Sequence, residues 1–129
     1  MHSKYIELFK EIAKATMVSA EQVMEYDKSK NDDKGFEAAQ TLRDDFTALY
    51  QKIETNGQLN KADFARLLVG AMIIANQLSD RIAALRKGLS GYQTDVIPKL
   101  QDIIDNAKDD EESMKIAEEK FTINEETNT

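Results

Sequence analysis

The nine residues from Leu67 to Ala75 carry no charged side chain and no side-chain amide. Such a run is too short to span a membrane, which needs about 20 apolar residues. It lies within a longer pattern whose apolar residues recur every three or four positions, as on an amphipathic helix. Because these consecutive residues cover every face of a helix, we expect the segment to be buried on all sides by neighbouring helices.

The length and composition of the chain fit one helical domain. Its 129 residues are enough for a single core, and 41% of them are hydrophobic. The chain starts with a charged amphipathic pattern instead of a basic and apolar leader, and no segment is long enough to cross a bilayer. No predicted helix pairs an apolar face with a mostly basic one, so binding to a membrane surface is not expected. We therefore expect a soluble cytoplasmic protein.

Few side chains suited to catalysis or metal binding are present. The chain has no cysteine, which excludes thiolate nucleophiles and cysteine-ligated metals. Its single histidine, His2, lies close to the N-terminus, where a helix frays, so histidine-based catalysis lacks its central residue. The 24 acidic residues are interpreted mainly as solvated helix faces. We expect a protein that is not an enzyme, with no catalytic residue, no metal site and no cofactor.

Helix-breaking residues are scarce, since the chain has five glycines and one proline. The apolar periodicity between them predicts four helices, over residues 3–28, 34–55, 60–87 and 98–121. Helices of similar length joined by short loops are typical of an antiparallel up-down-up-down four-helix bundle. We expect this all-α bundle over residues 1–121 and a disordered tail over 122–129. In the alternative, a three-helix core remains, and the segment after Ala107 projects from it as a solvated arm or as a dimerising strand of a coiled coil.

Several residues signal the ends of these helices. Gly57 can adopt the left-handed backbone conformation that terminates the second helix. Asn60 can cap the third helix, with Asp63 completing a capping box. Before the fourth helix, Thr94 or Asp95 is the expected cap, because either choice places the chain's proline in the first turn.

The same boundary, residues 52–64, resembles the calcium-binding loop of an EF-hand. The resemblance rests on four residues, Gly57, Leu59, Asp63 and Phe64. It would make Asp63 a calcium ligand, at the position where such loops carry a glutamate. However, Lys52 occupies the first ligand position, where a carboxylate is needed and an ammonium group repels the ion. The pattern therefore favours a capped helix boundary without a metal.

Negative charge is concentrated near the C-terminus. Residues 105–129 hold nine acidic residues against three lysines, so this part of the chain carries −6 of the total charge of −7. Residues 58–91 carry a net charge of +3, so the acidic helix could simply lie against the third helix. The other interpretation is that the acids meet a basic partner. Direct nucleic-acid binding is not expected, because the sequence pI is about 4.8 and there is no basic stripe.

These features together predict a protein-binding module, an adaptor or an inhibitor, whose acidic C-terminal helix engages a basic site on a partner protein. That partner could itself be a nucleic-acid-binding protein. The candidate partner-binding residues are Asp109, Asp110, Glu111, Glu112, Glu118 and Glu119.

Two other functions are kept as alternatives. The first is a structural homo-oligomer, such as a homodimer, held by a seam of residues that repeat every seven positions. The seam consists of Leu100, Ala107, Met114 and Phe121. The second is the binding of a small molecule between the helices around Gly70 and Met72, where side-chain bulk is low.

Overall fold

The computed structural model describes the backbone of residues 3–76 and 96–127, and the side chains of residues 6–76 and 96–121. All regular structure in these residues is helical, which confirms the predicted all-α class. The described residues form five helices, α1 (Ser3–Ser29), α2 (Asp33–Asn56), α3 (Lys61–Ala75), α4 (Ile97–Asn106) and α5 (Asp110–Thr127). No helix in these described ranges combines the length and the apolar character that crossing a membrane requires.

The first three helices pack side by side with alternating directions. Lys10 near the start of α1 pairs with Glu54 near the end of α2, with 3.2 Å between Nζ and Oε2, so these helices are antiparallel. Phe9 of α1 meets Phe64 near the start of α3 edge to face, with 5.5 Å between ring centroids, so α1 and α3 are parallel. All three helices contribute fully buried side chains to one core.

Gly70 allows these three helices to approach closely. A Cβ atom at this position would lie 2.6 Å from the Thr16 hydroxyl oxygen of α1 and 2.9 Å from Cε1 of Phe46 in α2. Both distances are shorter than a normal non-bonded contact. The glycine therefore serves packing, although it costs about 1 kcal/mol of helix propensity relative to alanine.

The predicted fourth helix is in fact two helices. Ala107 has an extended backbone, with ψ at 128°, and this residue separates α4 from α5. The Lys61 ammonium group, at the start of α3, donates a hydrogen bond to the Ala107 carbonyl (2.7 Å), so the break lies beside the first turn of α3. Beyond the break, α5 runs back along α4, where Lys120 pairs with Asp102 at 3.1 Å. The prediction of one helix over 98–121 is therefore wrong.

A helix start encoded in the sequence explains this break. The Asp109 carboxylate accepts a hydrogen bond from the Glu112 backbone N–H (2.8 Å), and the Glu112 carboxylate accepts one from the Lys108 N–H (3.2 Å). An acid at the cap position and a glutamate three residues later satisfy N–H groups that have no partner inside the helix. A new helix therefore begins at this point.

Helix α5 packs against the rest of the protein. Ala117 and Phe121 are buried, at 1% and 6% exposure, and the Phe121 ring meets Phe9 edge to face at 5.3 Å. The alternative in which the segment after Ala107 projects as an arm is therefore wrong. The seam residues Leu100, Ala107 and Phe121 all lie within the chain's own core, and Met114 is half-buried against it.

The sequence predicted that the uncharged segment of α3 is buried on all sides, and this prediction is wrong. Val69 is 51% exposed and Met72 is 49% exposed, because the neighbouring helices pack against the opposite side of α3. The helix also ends at Ala75, well before the expected end at residue 87. The residues from 77 to 95 lie outside the described ranges.

The starts and ends of the last two helices differ from those expected. Val96, with no side-chain capping hydrogen bond, stands in the cap position of α4 instead of Thr94 or Asp95, which lie outside the described residues. Pro98 lies in the first turn, as predicted. The backbone of α5 continues as helix to Thr127, past the predicted end at Phe121, because no glycine or proline follows Pro98 to stop it. The assignment of residues 1–121 to one domain stays a prediction.

Candidate functional site

Three helix ends meet at one place in the molecule: the end of α2, the start of α3 and the start of α5. Gly57 terminates α2 in the left-handed conformation, with φ at 63°, and its N–H donates to the Ile53 carbonyl at 2.9 Å. This confirms the predicted glycine cap. Because α3 begins only a few residues later, the connection is tight and its side chains are held between two rigid helices.

The start of α3 is stabilised by a complete capping box. The Asn60 side chain accepts a hydrogen bond from the Asp63 N–H (2.8 Å), and the Asp63 carboxylate accepts one from the Asn60 N–H (3.0 Å). This confirms the predicted cap. The Asp63 carboxylate is only 3% exposed, and it also accepts a hydrogen bond from the Lys52 ammonium group at 2.6 Å. Lys52 occupies the first ligand position of the EF-hand resemblance and Asp63 the last, and their charges neutralise each other.

Helix α5 is attached to this helix boundary by two hydrogen bonds. The Lys61 backbone N–H donates to the Asp110 carboxylate at 2.9 Å. The Leu59 N–H donates to the Met114 sulfur at 3.3 Å. Leu59 precedes α3 and Lys61 is its first residue, and backbone N–H groups at the start of a helix lack helical partners. No pattern in the sequence indicates either contact, since both depend on how α5 folds back after the break.

A groove of about 890 Å³ lies between the end of α2 and the first turns of α5. Thr55 lines it on the α2 side, and Leu59 and Met114 contribute apolar surface. Glu111 and Glu118 line it on the α5 side, and both side chains are exposed. The predicted site included these two glutamates but none of the residues across the groove. No sequence pattern could have identified those residues, because they become neighbours of α5 only through the reversal of the chain between α4 and α5.

The structure divides the six predicted partner-binding acids into two groups. Three of them support local structure: Asp109 and Glu112 form the cap of α5, and Asp110 accepts the Lys61 N–H. The other three are exposed along α5: Glu111, Glu118 and Glu119. The Asp-x-x-Glu spacing at 109–112 is the sequence signal that could have separated the groups, because it matches a capping box.

The charged side chains that line the groove are mostly acidic. Its lining includes Lys52 and the acids Asp110, Glu111 and Glu118, and the Lys52 charge is balanced by the neighbouring Asp63. The starts of α3 and α5 each contribute a partial positive charge of about half a unit, which falls off within the first turn. Glu111 is exposed, whereas Asp110 and Glu118 each have a partner within the chain. These acids together favour a cation over an anion in the groove.

No known family model matches this chain. Searches also find no curated protein similar to it and no solved structure that matches its fold.

Proposed function

We propose that this protein is a non-enzymatic binding module, an adaptor or an inhibitor, that engages a basic site on a partner protein. The binding surface consists of the exposed carboxylates of α5, namely Glu111, Glu118 and Glu119. In this proposal the protein acts in the cytoplasm, and α1 to α4 form an up-down-up-down four-helix bundle against which α5 folds back. A partner that binds nucleic acid through its basic site would be inhibited by competition.

One observation carries the proposal: α5 buries one side in the core and presents carboxylates on the other. Ala117 and Phe121 fix the orientation of the helix, at 1% and 6% exposure. Glu111, Glu118 and Glu119 therefore stand on a rigid support. Clustered charges of one sign accelerate association with a partner of opposite sign and align it.

The homo-oligomer alternative has less support. Its seam was to be Leu100, Ala107, Met114 and Phe121, and these side chains are already packed inside this chain. A second copy could reach them only if α4 and α5 separated from the core. The exposed acids of α5 need no such rearrangement.

The test neutralises the exposed acids and leaves the capping acids in place. The variant Glu111→Gln/Glu118→Gln/Glu119→Gln is compared with a matched control, Glu21→Gln/Glu25→Gln/Glu37→Gln, which removes the same charge from α1 and α2. Each protein is immobilised and exposed to lysate of the native host at several salt concentrations. We expect one basic protein to bind the wild type and the control but not the α5 variant, and to dissociate as salt rises. Equal recovery with all three proteins would show that the proposal is wrong.

A further inference from the structure

We propose that the partner protein binds in the groove between α2 and α5, and that the groove receives an arginine side chain from an extended basic segment of that partner. This inference rests on the proposed function and adds the location and the chemistry of the contact. The groove offers what an arginine side chain requires, an apolar surface for its methylene stem and carboxylates for its guanidinium group.

The apolar surface comes chiefly from the Met114 side chain, which lies beside the buried Leu59. Leu59 is buried to 4% exposure in the core cluster, and Met114 is half-buried beside it. The hydrogen bond from the Leu59 N–H to the Met114 sulfur, at 3.3 Å, keeps the methionine against the loop. A methionine side chain adapts its shape to an incoming group, so this surface can accept an aliphatic stem.

The carboxylates stand along the same side of the groove. Glu111 and Glu118 are seven residues apart, which is about two helical turns and about 10 Å along α5. Both line the groove, with the Met114 side chain between them in sequence. A guanidinium group carries five N–H donors in a plane, and hydrogen bonds between opposite charges are about twice as strong as neutral ones. An arginine above Met114 would therefore reach the Glu111 carboxylate, and it would share the Glu118 carboxylate with the partner that Glu118 already has in the chain.

Polar groups on the α2 side suit the backbone of an extended segment. Thr55 and Gln58 line this wall and provide a hydroxyl and an amide group that both donate and accept hydrogen bonds. Asn60 also lines it, and because its side-chain oxygen accepts the Asp63 N–H, it offers the N–H groups of its amide. The Lys52 ammonium group pairs with the Asp63 carboxylate at 2.6 Å, so Lys52 does not repel an incoming cation with its full charge. The groove therefore distinguishes a basic segment from an acidic one.

The experiment uses three short peptides of Gly and Ser that differ only in three central residues, which are arginine, lysine or citrulline. Citrulline has nearly the shape of arginine but no charge. Binding to the full-length protein is followed by amide chemical shifts at physiological salt. We expect the arginine peptide to shift the signals of residues 55–60 and 110–118, the lysine peptide to bind more weakly, and the citrulline peptide not to bind.

Two charge-matched variants locate the contact. Glu111→Gln/Glu118→Gln removes the two exposed groove carboxylates and leaves Asp110 in place, and Glu25→Gln/Glu37→Gln removes two exposed acids elsewhere. We expect the first to raise the Kd of the arginine peptide about tenfold, since charge-assisted contacts are lost, and the second to leave it within about twofold. Met114→Gln, which keeps the side-chain length, should also weaken binding.

The outcomes separate this inference from the function on which it rests. Equal weakening by both charge variants, or shifts spread over the whole surface, would mean attraction by net charge and would overturn the groove proposal alone. The groove proposal would also be overturned if the citrulline peptide bound as tightly as the arginine peptide. No binding of any peptide to the wild type, together with unchanged recovery of host proteins by the α5 variant, would overturn both proposals.

Discussion

Asp63 is a buried acid with two partners, and its removal affects both. In Asp63→Ala the Asn60 N–H loses its acceptor and the Lys52 ammonium group, whose side chain is 38% exposed, loses its counter-charge. We expect a loss of about 2–4 kcal/mol in the free energy of unfolding. Asp63→Asn retains an acceptor for the Asn60 N–H, so its free energy of unfolding should fall by less. Urea denaturation measures both, and Glu37→Ala, an exposed acid in α2, is the control with a change below about 0.5 kcal/mol.

The same residue predicts how the protein responds to calcium. The Asp63 carboxylate is engaged by Lys52 and by the Asn60 N–H, so an ion would have to displace both. We expect calcium at millimolar concentration to leave the melting temperature unchanged, because a ligand stabilises only a state that it binds. A rise in melting temperature that disappears in Asp63→Ala would reinstate the EF-hand interpretation.

Lys10 gives a prediction about pH. Its hydrogen bond with Glu54 is the main reason that the pKa of Lys10 lies above its ordinary value of 10.5, with burial acting in the opposite direction and Glu7 adding to the rise. A raised lysine pKa stabilises the folded state below pH 10.5, and this contribution disappears as the pH rises through the folded-state pKa. Glu54→Gln should therefore lower the Lys10 pKa, measured by an NMR titration. Glu37→Gln, at a distance on α2, should leave that pKa unchanged.

At the scale of the helices, the two groups of acids on α5 should differ in their effect on stability. Asp109→Ala removes the cap at the start of the helix and should cost about 1 kcal/mol. Glu119→Gln removes an exposed charge and should change the free energy of unfolding by less than about 0.5 kcal/mol. Urea denaturation of the two variants checks this. Equal losses would mean that the cap does not define the start of α5.

The helices also show what a single sequence can predict. The boundary at Gly57 and Asn60 was predicted correctly because its signals are local, a glycine for the left-handed turn and a capping box. The break at Ala107 was missed because the heptad repeat continues across it, and α4 and α5 present their apolar residues to the same core. Periodicity reports which residues are apolar, but it does not report where the chain reverses.

The candidate site was half predicted for the same reason. The acids of α5 were found from composition alone, and the exposed members are Glu111, Glu118 and Glu119. Thr55 and Leu59 were missed, because their position opposite α5 depends on the reversal of the chain. The exposure of Val69 and Met72 was also missed, since an uncharged run indicates apolar character without showing how many neighbours surround it.

At the scale of the whole molecule, the core joins the first helix to the last. Phe121 is 6% exposed, and its ring meets Phe9 of α1 edge to face. Phe121→Ala should cost about 3–5 kcal/mol, a large share of the roughly 5–15 kcal/mol typical of a whole domain. Val69→Ala, at a half-exposed position of α3, should cost much less. Thermal and urea unfolding followed by circular dichroism compare the two variants, and a small loss for Phe121→Ala would mean that α5 is not part of the core.

The contact between Phe9 and Phe121 also bears on synthesis by the ribosome. Phe9 is translated well before Phe121, so one side of the Phe9 ring stays without its native cover until the residues between them have been made. Helices α1, α2 and α3 can assemble on the growing chain, but an apolar surface at their base remains open until α5 has emerged. Chains that stall before α5 would expose this surface to chaperones and to one another, so α5 also protects the nascent protein from aggregation.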